Sequence, residues 1–280
     1  MTEFAAVAPK RHAMAALAAL AAVVPKRHAK KAWKNIPDYA FDAADAVIPL
    51  VAAELSKAIS SMPTGFIKQE VGYELVGITS LQVGMNLYVA PDGQWMGAHI
   101  PAVLRTYPFR LAHQESPDKP ILCINEASGL VVESTEDGNA FFDDQNQLTQ
   151  ETKKILNLLA SIEANLVVTQ RGVNALDDAG LITPWALNLK QGGKVVPVTG
   201  LFHVDEAAFS KLDDDDFLAL RKAGSLIVAY AQLLSMNQLA VLGRLGQLRG
   251  QILAQQAANS EATNLTGFSL SEEDGSLMFD

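Results

Sequence analysis

The sequence predicts an α+β fold: an antiparallel β-meander with two long helices packed on one side. Three observations lead there. Short runs of β-branched and aromatic residues, punctuated by Gly, Pro and Asp, fill residues 64–133. From 148 to 180, Ile155, Leu158 or Leu159, Ile162, Leu166, Val173 and Leu176 recur at helical spacing. The stretch 226–256 is Leu-rich and long enough for a second helix.

Taken in order, the Ala/Leu run Ala13–Val24 reads as a helix ended by Pro25, too short for the ~20 apolar residues of a membrane span. Pro49 suits the first turn of a helix over 49–62, which Pro63 stops. Strands follow at 65–69, 73–80, 85–90 and 94–97. The last two are joined through Ala90-Pro91-Asp92-Gly93, where proline presets φ and glycine accepts a positive one. Pro101 opens a short helix that Pro108 closes. Runs 109–113, 121–125 and 130–133 complete the meander. Gly180 suits the position after the long helix, and a second hairpin, 185–190 with 194–204, turns at Gly192-Gly193. Short helices surround Asp213–Asp216, whose charges suit a helix N-terminus. The expected organisation is a basic arm over 1–35, one domain over 36–256 and a polar, acidic tail over 257–280.

Charge is segregated. Residues 1–35 carry about +6, whereas the whole chain of 280 residues carries −9. The body should repel nucleic acid and anionic membrane, leaving the arm as the one segment suited to either. Cys123 is the only cysteine and permits no intrachain disulfide, which fits a reducing compartment. No signal-peptide cleavage site follows the Ala/Leu run, so the sequence by itself places the chain in the cytoplasm without a transmembrane segment.

Patterns of chemistry fail one after another. His203-Val204-Asp205 supplies two legs of a two-His, one-carboxylate iron site, but no histidine follows it, and Asp205 reads as a helix N-cap. The acidic loop at Asp143 puts Leu148 and Lys154 where a calcium loop needs Gly and Glu. No G-x-S-x-G or phosphate-binding glycine loop is present, and Cys123 lies in an apolar run. No cofactor and no catalytic residue is assigned. The best binding surface is DGQWMGAHIPAVLRTYPFRL (92–111), where Trp95, Arg105, Tyr107, Phe109 and Arg110 are the residue types of interface hot spots. Read as a core corner instead, it buries Trp95 and Phe109. Its arginines, if turned inward, would need mates such as Glu115, Glu126 or Asp143.

That stretch, with PKRHAKKAWKNIPDYAFDAADAVIPLVAAEL (25–55), ILCINEASGLV (121–131), the FFDD loop (141–144), LITPWALNL (181–189) and the segment 200–239, resembles the bacterial SapC family. The family's namesake was described with surface-layer proteins. The resemblance implies a soluble protein without established catalytic residues. Genes of family members often lie near those of cupin-like hydroxylases, flavin-dependent halogenase-like proteins and outer-membrane receptors. The expectation is therefore a binding or structural component of the cell surface or of a modification system, with a protein partner or a second copy. The alternative is an enzyme or enzyme subunit that uses His203 and Asp205.

Overall fold

The computed structural model describes residues 2–3, 20–113, 120–191 and 193–266. The strands of its two central sheets are, in chain order, β1 (Leu20–Ala22), β2 (Val47–Pro49), β3 (Thr64–Lys68), β4 (Tyr73–Ile78), β5 (Phe109–Ala112), β6 (Ile121–Asn125), β7 (Ile182–Pro184) and β8 (Leu201–Val204). The helices of two turns or more are α1 (Gln150–Asp178), α2 (Asp214–Ala223), α3 (Ser225–Ser235) and α4 (Leu239–Thr266).

The α+β class holds, but the meander does not. The main sheet has the order β7-β8-β3-β4-β2, all antiparallel, so the β3–β4 hairpin is flanked by a strand from before it and one from far beyond it. Strands β5 and β6 leave for a second sheet of order β1-β6-β5. Val131–Val132 joins neither. It pairs with Ala32–Trp33, which also pairs with Asn139–Ala140. The expected strands at 85–90 and 94–97 shrink to one bridge, Val89 with Trp95, because Asn86 and Leu87 donate their N–H groups to Ala43 and Thr79 instead. The turn between them does form, with Gly93 at φ 85°.

Several boundaries move for identifiable reasons. Pro49 ends β2 opposite Val76 rather than opening a helix, and only short turns at Ala52–Glu54 and Leu55–Ala58 follow. Of the expected N-terminal helix, residues 13–19 lie outside the described chain and Leu20–Ala22 is strand β1, because Ala21 is buried opposite Ile124. Pro25 starts a one-turn helix, Pro25–His28, instead of ending one. The second hairpin pairs Leu187–Gln191 with Lys194–Thr199. At Gly200 (φ 86°) the chain turns away, and β8 enters the main sheet. The expected 226–256 helix is two, broken at Met236–Gln238, and α4 continues through Thr266 into what was expected as tail. Residues 267–280 lie outside the described chain.

Helix α1 is the longest element and the best anticipated. Thr149 caps it by accepting from the Thr152 N–H, and Gly180 (φ 68°) follows its end. Its first half places Ile155, Leu156 and Leu159 in a core with Trp33, Phe109, Ile124, Phe141 and Phe142. Its second half places Val173 and Leu176 in the larger core under the main sheet. Between them Ile162, with Leu158 and Leu166, meets Val51 and Ala102.

Helix α3 fastens the main sheet by a polar device inside that core. Strands β8 and β3 pair at Leu201–Ile67 and Phe202–Phe66, and beyond those pairs the ladder opens. The Gln232 side chain fills the opening: its Oε1 accepts from the Val204 N–H at 2.9 Å and its Nε2 donates to the Thr64 carbonyl at 3.3 Å. Ser235 Oγ accepts from the Thr64 N–H at 2.9 Å. All three residues are fully buried. The stretch 225–259 is long and apolar enough to span a bilayer, yet its first half carries this network and is broken off by the turn at Met236–Gln238. That first half is built into the core.

Removing the Gln232 amide while keeping its volume should be costly. Gln232→Leu leaves one buried N–H and one buried carbonyl unpaired, and we expect a loss of about 2–4 kcal/mol in urea unfolding at unchanged helix content. A loss well below 1 kcal/mol would show that β8 and β3 close their own ladder.

Candidate functional site

The two cores share α1 but do not merge. Between them lies a cavity of about 370 Å³, at the small end of the size range of ligand pockets. The middle of α1 roofs it with Leu159, Ile162, Glu163 and Leu166. Its walls are the segment from Phe41 through β2, Glu74 of β4, the loop 103–107 and the start of β5. Most of this lining is apolar.

The 103–107 wall is held by one carboxylate. Glu54, itself buried, accepts from the Ala102 N–H (2.8 Å) and from its own turn at Val51 (3.1 Å), and lies 2.9 Å from His99 Nε2. Thr169 of α1 accepts from the Ala52 N–H at 2.8 Å, tying the same turn to the roof. On the facing wall, Phe41 stacks on Tyr107 with ring centres 3.9 Å apart and planes 6° apart. A chain of ring contacts runs on from Phe41 through Tyr39 and Trp95 to the fully buried Tyr88.

The least expected feature is a pair of carboxyl groups, Asp42 and Asp45, in that first wall. Asp42 is 5% exposed. Its Oδ2 accepts from Asn86 Nδ2 at 2.8 Å, and its side chain is hydrogen-bonded to Asp45. Burial, then the neighbouring Asp45 charge, pushes its pKa from an ordinary 3.8 up to about 9, with the Asn86 bond opposing. Asp42 therefore keeps its proton at neutral pH. Burial also raises Glu74, against the bond it accepts from Gln69. Asn86 N–H and Thr79 Oγ1 brace the loop by donating to Ala43 and Asp45 carbonyls at 2.8 and 2.6 Å.

Three of the five sequence-predicted binding residues line this cavity: Tyr107, Phe109 and Arg110. Phe109 is also core, edge-on to Trp33. Arg110 is exposed. Trp95 stands outside the cavity, half-buried on Tyr88, with its Nε1 donating to the His99 carbonyl at 2.9 Å. Arg105 is exposed near Tyr39. Neither arginine is ion-paired among the described residues. Of their expected mates, Glu126 pairs with Arg27, Asp143 accepts from two N–H groups of its own loop, and Glu115 lies outside the described chain. The basic arm is thus partly spent on the body: Arg27 is joined by Lys31, 2.8 Å from Glu133.

Among the described residues, His203 and Asp205 gain no third metal ligand. Asp205 caps its helix by accepting from the Ala208 N–H at 3.0 Å, and the His203 ring lies against Trp185 at 5.5 Å. Among the described residues no group of three or more His, Cys, Asp and Glu is arranged to hold a metal. Asp213 accepts from the Asp216 N–H, so the four-aspartate run is a helix cap. Cys123 is buried in β6, and burial raises its pKa. Sequence reasoning did not single out Asp42, Asp45 or Asn86. The legible signal was FDAAD (41–45), two acids three apart inside an otherwise apolar run.

A buried acid with a raised pKa gives stability that is full below its ordinary value and drains away as pH climbs. Asp42 should therefore make the protein progressively less stable from pH 4 to about 9. Asp42→Asn should flatten that slope, with melting at pH 9 above the wild type. Equal slopes in the two proteins would show that Asp42 ionises freely.

Comparison with curated protein sequences and with solved structures finds no match. A family model does match, over residues 24–242, which takes in the main sheet, strands β5 and β6 of the second, the whole cavity lining and helices α1 to α3. That is most of the chain, and it agrees with the segments on which the resemblance was drawn. The protein belongs to the SapC family.

Proposed function

We propose that this protein is a non-catalytic binding component of a cell-surface or modification system, and that the cavity between its two cores is where it takes a small molecule. The observation that supports this is the cavity itself: a mostly apolar space with a few convergent polar groups, built from four separate parts of the chain. Tyr107, Phe109 and Arg110, proposed from sequence as hot spots, meet there rather than on an open face. The surface or modification context comes from the family resemblance.

A catalytic reading has one observation in its favour. A carboxyl kept protonated in a cavity is the state a general acid needs. Conversion of a cavity ligand by the wild type, lost in Asp42→Asn, would move the protein among enzymes.

Uptake of the neutral apolar dye N-phenyl-1-naphthylamine tests the binding reading. We expect saturable fluorescence enhancement with the wild type. Leu166→Trp, which pushes an indole from α1 into the cavity, should abolish most of it while leaving thermal melting within a few degrees. Absence of uptake, or uptake indifferent to Leu166→Trp, would overturn the cavity as the site.

A further inference from the structure

The cavity's polar groups have a sign. Its lining includes four carboxyl groups, Asp42, Asp45, Glu74 and Glu163, and one cationic side chain, Arg110. Arg110 is exposed. Glu163 is partly exposed and lies 3.0 Å from His113 Nε2. The Asp42/Asp45 pair is the deeper feature, since Asp42 is 5% exposed and is fixed from behind by Asn86.

We infer that the ligand is an organic cation, an amine on an apolar body, with its ammonium seated against the Asp42/Asp45 carboxyl pair and its body between α1 and the 103–107 wall. The inference rests on the reading of the cavity as a ligand site.

Charge complementarity carries the choice. An anionic ligand would have to approach the Asp45 charge in a low-dielectric space with only an exposed arginine in return, and that contact is repulsive. A neutral ligand would leave the pair as it is and gain only apolar contact. An ammonium offers several donors to carboxyl oxygens, and its charge takes the place of the proton that Asp42 holds. The apolar lining then suits the carbon body, with Val103 and Leu104 on one side and Leu159 and Ile162 on the other. The stacked Phe41 and Tyr107 rings add aromatic surface beside the carboxyls, a surface that attracts cations. The geometry of the acids also argues for function over stability. A protonated Asp42 is satisfied by Asn86 and Asp45, but an Asn at 42 could make the same bonds without the burden of a titrating group.

Three compounds with one body and different heads provide the test: 4-phenylbutylamine, 4-phenylbutanol and 4-phenylbutyrate, each competing with N-phenyl-1-naphthylamine on the full chain at neutral pH. The amine should bind about tenfold or more tightly than the alcohol, and the carboxylate more weakly than either, which is a plausible size for one partly screened charge contact. In Asp45→Asn, and in Asp42→Asn/Asp45→Asn, the amine's advantage should fall to about threefold or less, whereas alcohol binding stays as in the wild type and certifies the fold. An alcohol or carboxylate that binds as well as the amine would overturn the cation assignment while leaving the cavity reading intact. So would an amine advantage that survives the double substitution. If the dye enters and none of the three displaces it, the cation assignment falls. If the dye itself does not enter, both readings fall.

Discussion

The architecture depends on one helix serving two cores. Helix α1 has 29 residues and so extends about 43 Å, longer than either sheet needs. Its apolar stripe is therefore divided: Ile155 to Leu159 on the second sheet, Val173 and Leu176 on the main one. Two twisted sheets packed on one straight rod cannot both follow it closely along its whole length. The mismatch falls at the middle, where Ile162 and Leu166 face a cavity instead of a third sheet. Filling that space with larger side chains would merge the cores and add stability; the sequence leaves it open.

What the fold places at that opening is costly to keep. A carboxyl group taken out of water without a cation disfavours its charged form, and Asp42 responds by holding its proton. Everything around it is arranged to hold the group still. Asn86 donates to it, Asp45 is hydrogen-bonded to it, and the backbone of the same loop is pinned by Asn86 and by Thr79. The opposite wall is fixed in the same manner by Glu54, which gathers the Ala102 N–H, the Val51 N–H and the His99 ring. Rigid walls on both sides make a preorganised space, which lowers the cost of ordering a ligand.

Local signals in the sequence were legible where structure is local. Proline and glycine marked the turn at Ala90–Gly93 and the cap after α1, and the three-to-four spacing of α1 was unambiguous. The errors share a cause, which is that non-local pairing leaves no periodic trace. Leu20–Ala22 becomes a strand only because β6 is beside it, and Pro49 ends one because β4 is. The runs at 85–90 and 94–97 had strand composition but spend their hydrogen bonds on the loop at 43 and on Thr79. At the site the same division holds. Tyr107, Phe109 and Arg110 were legible by residue type. Asp42 was not, because its character comes from burial by parts of the chain as distant as α1, and an acid in a sequence reads by default as solvated.

The cavity lies within the part of the chain that the family model matches. Its lining runs from Phe41 to Leu166, wholly inside the region matched to SapC, and so do Glu54, Asn86, His99 and Thr169, which brace it. Most of α4 lies beyond that region, carries exposed Leu248 and Leu253, and takes little part in either core after Leu245. Arg249 ties it back, donating to the Val89 carbonyl at 2.8 Å, near the Trp95 bridge. A function carried by α4 would therefore be an addition to the matched fold. A function carried by the cavity is of a piece with it, since the residues that make the two cores are the same ones that leave the space between them.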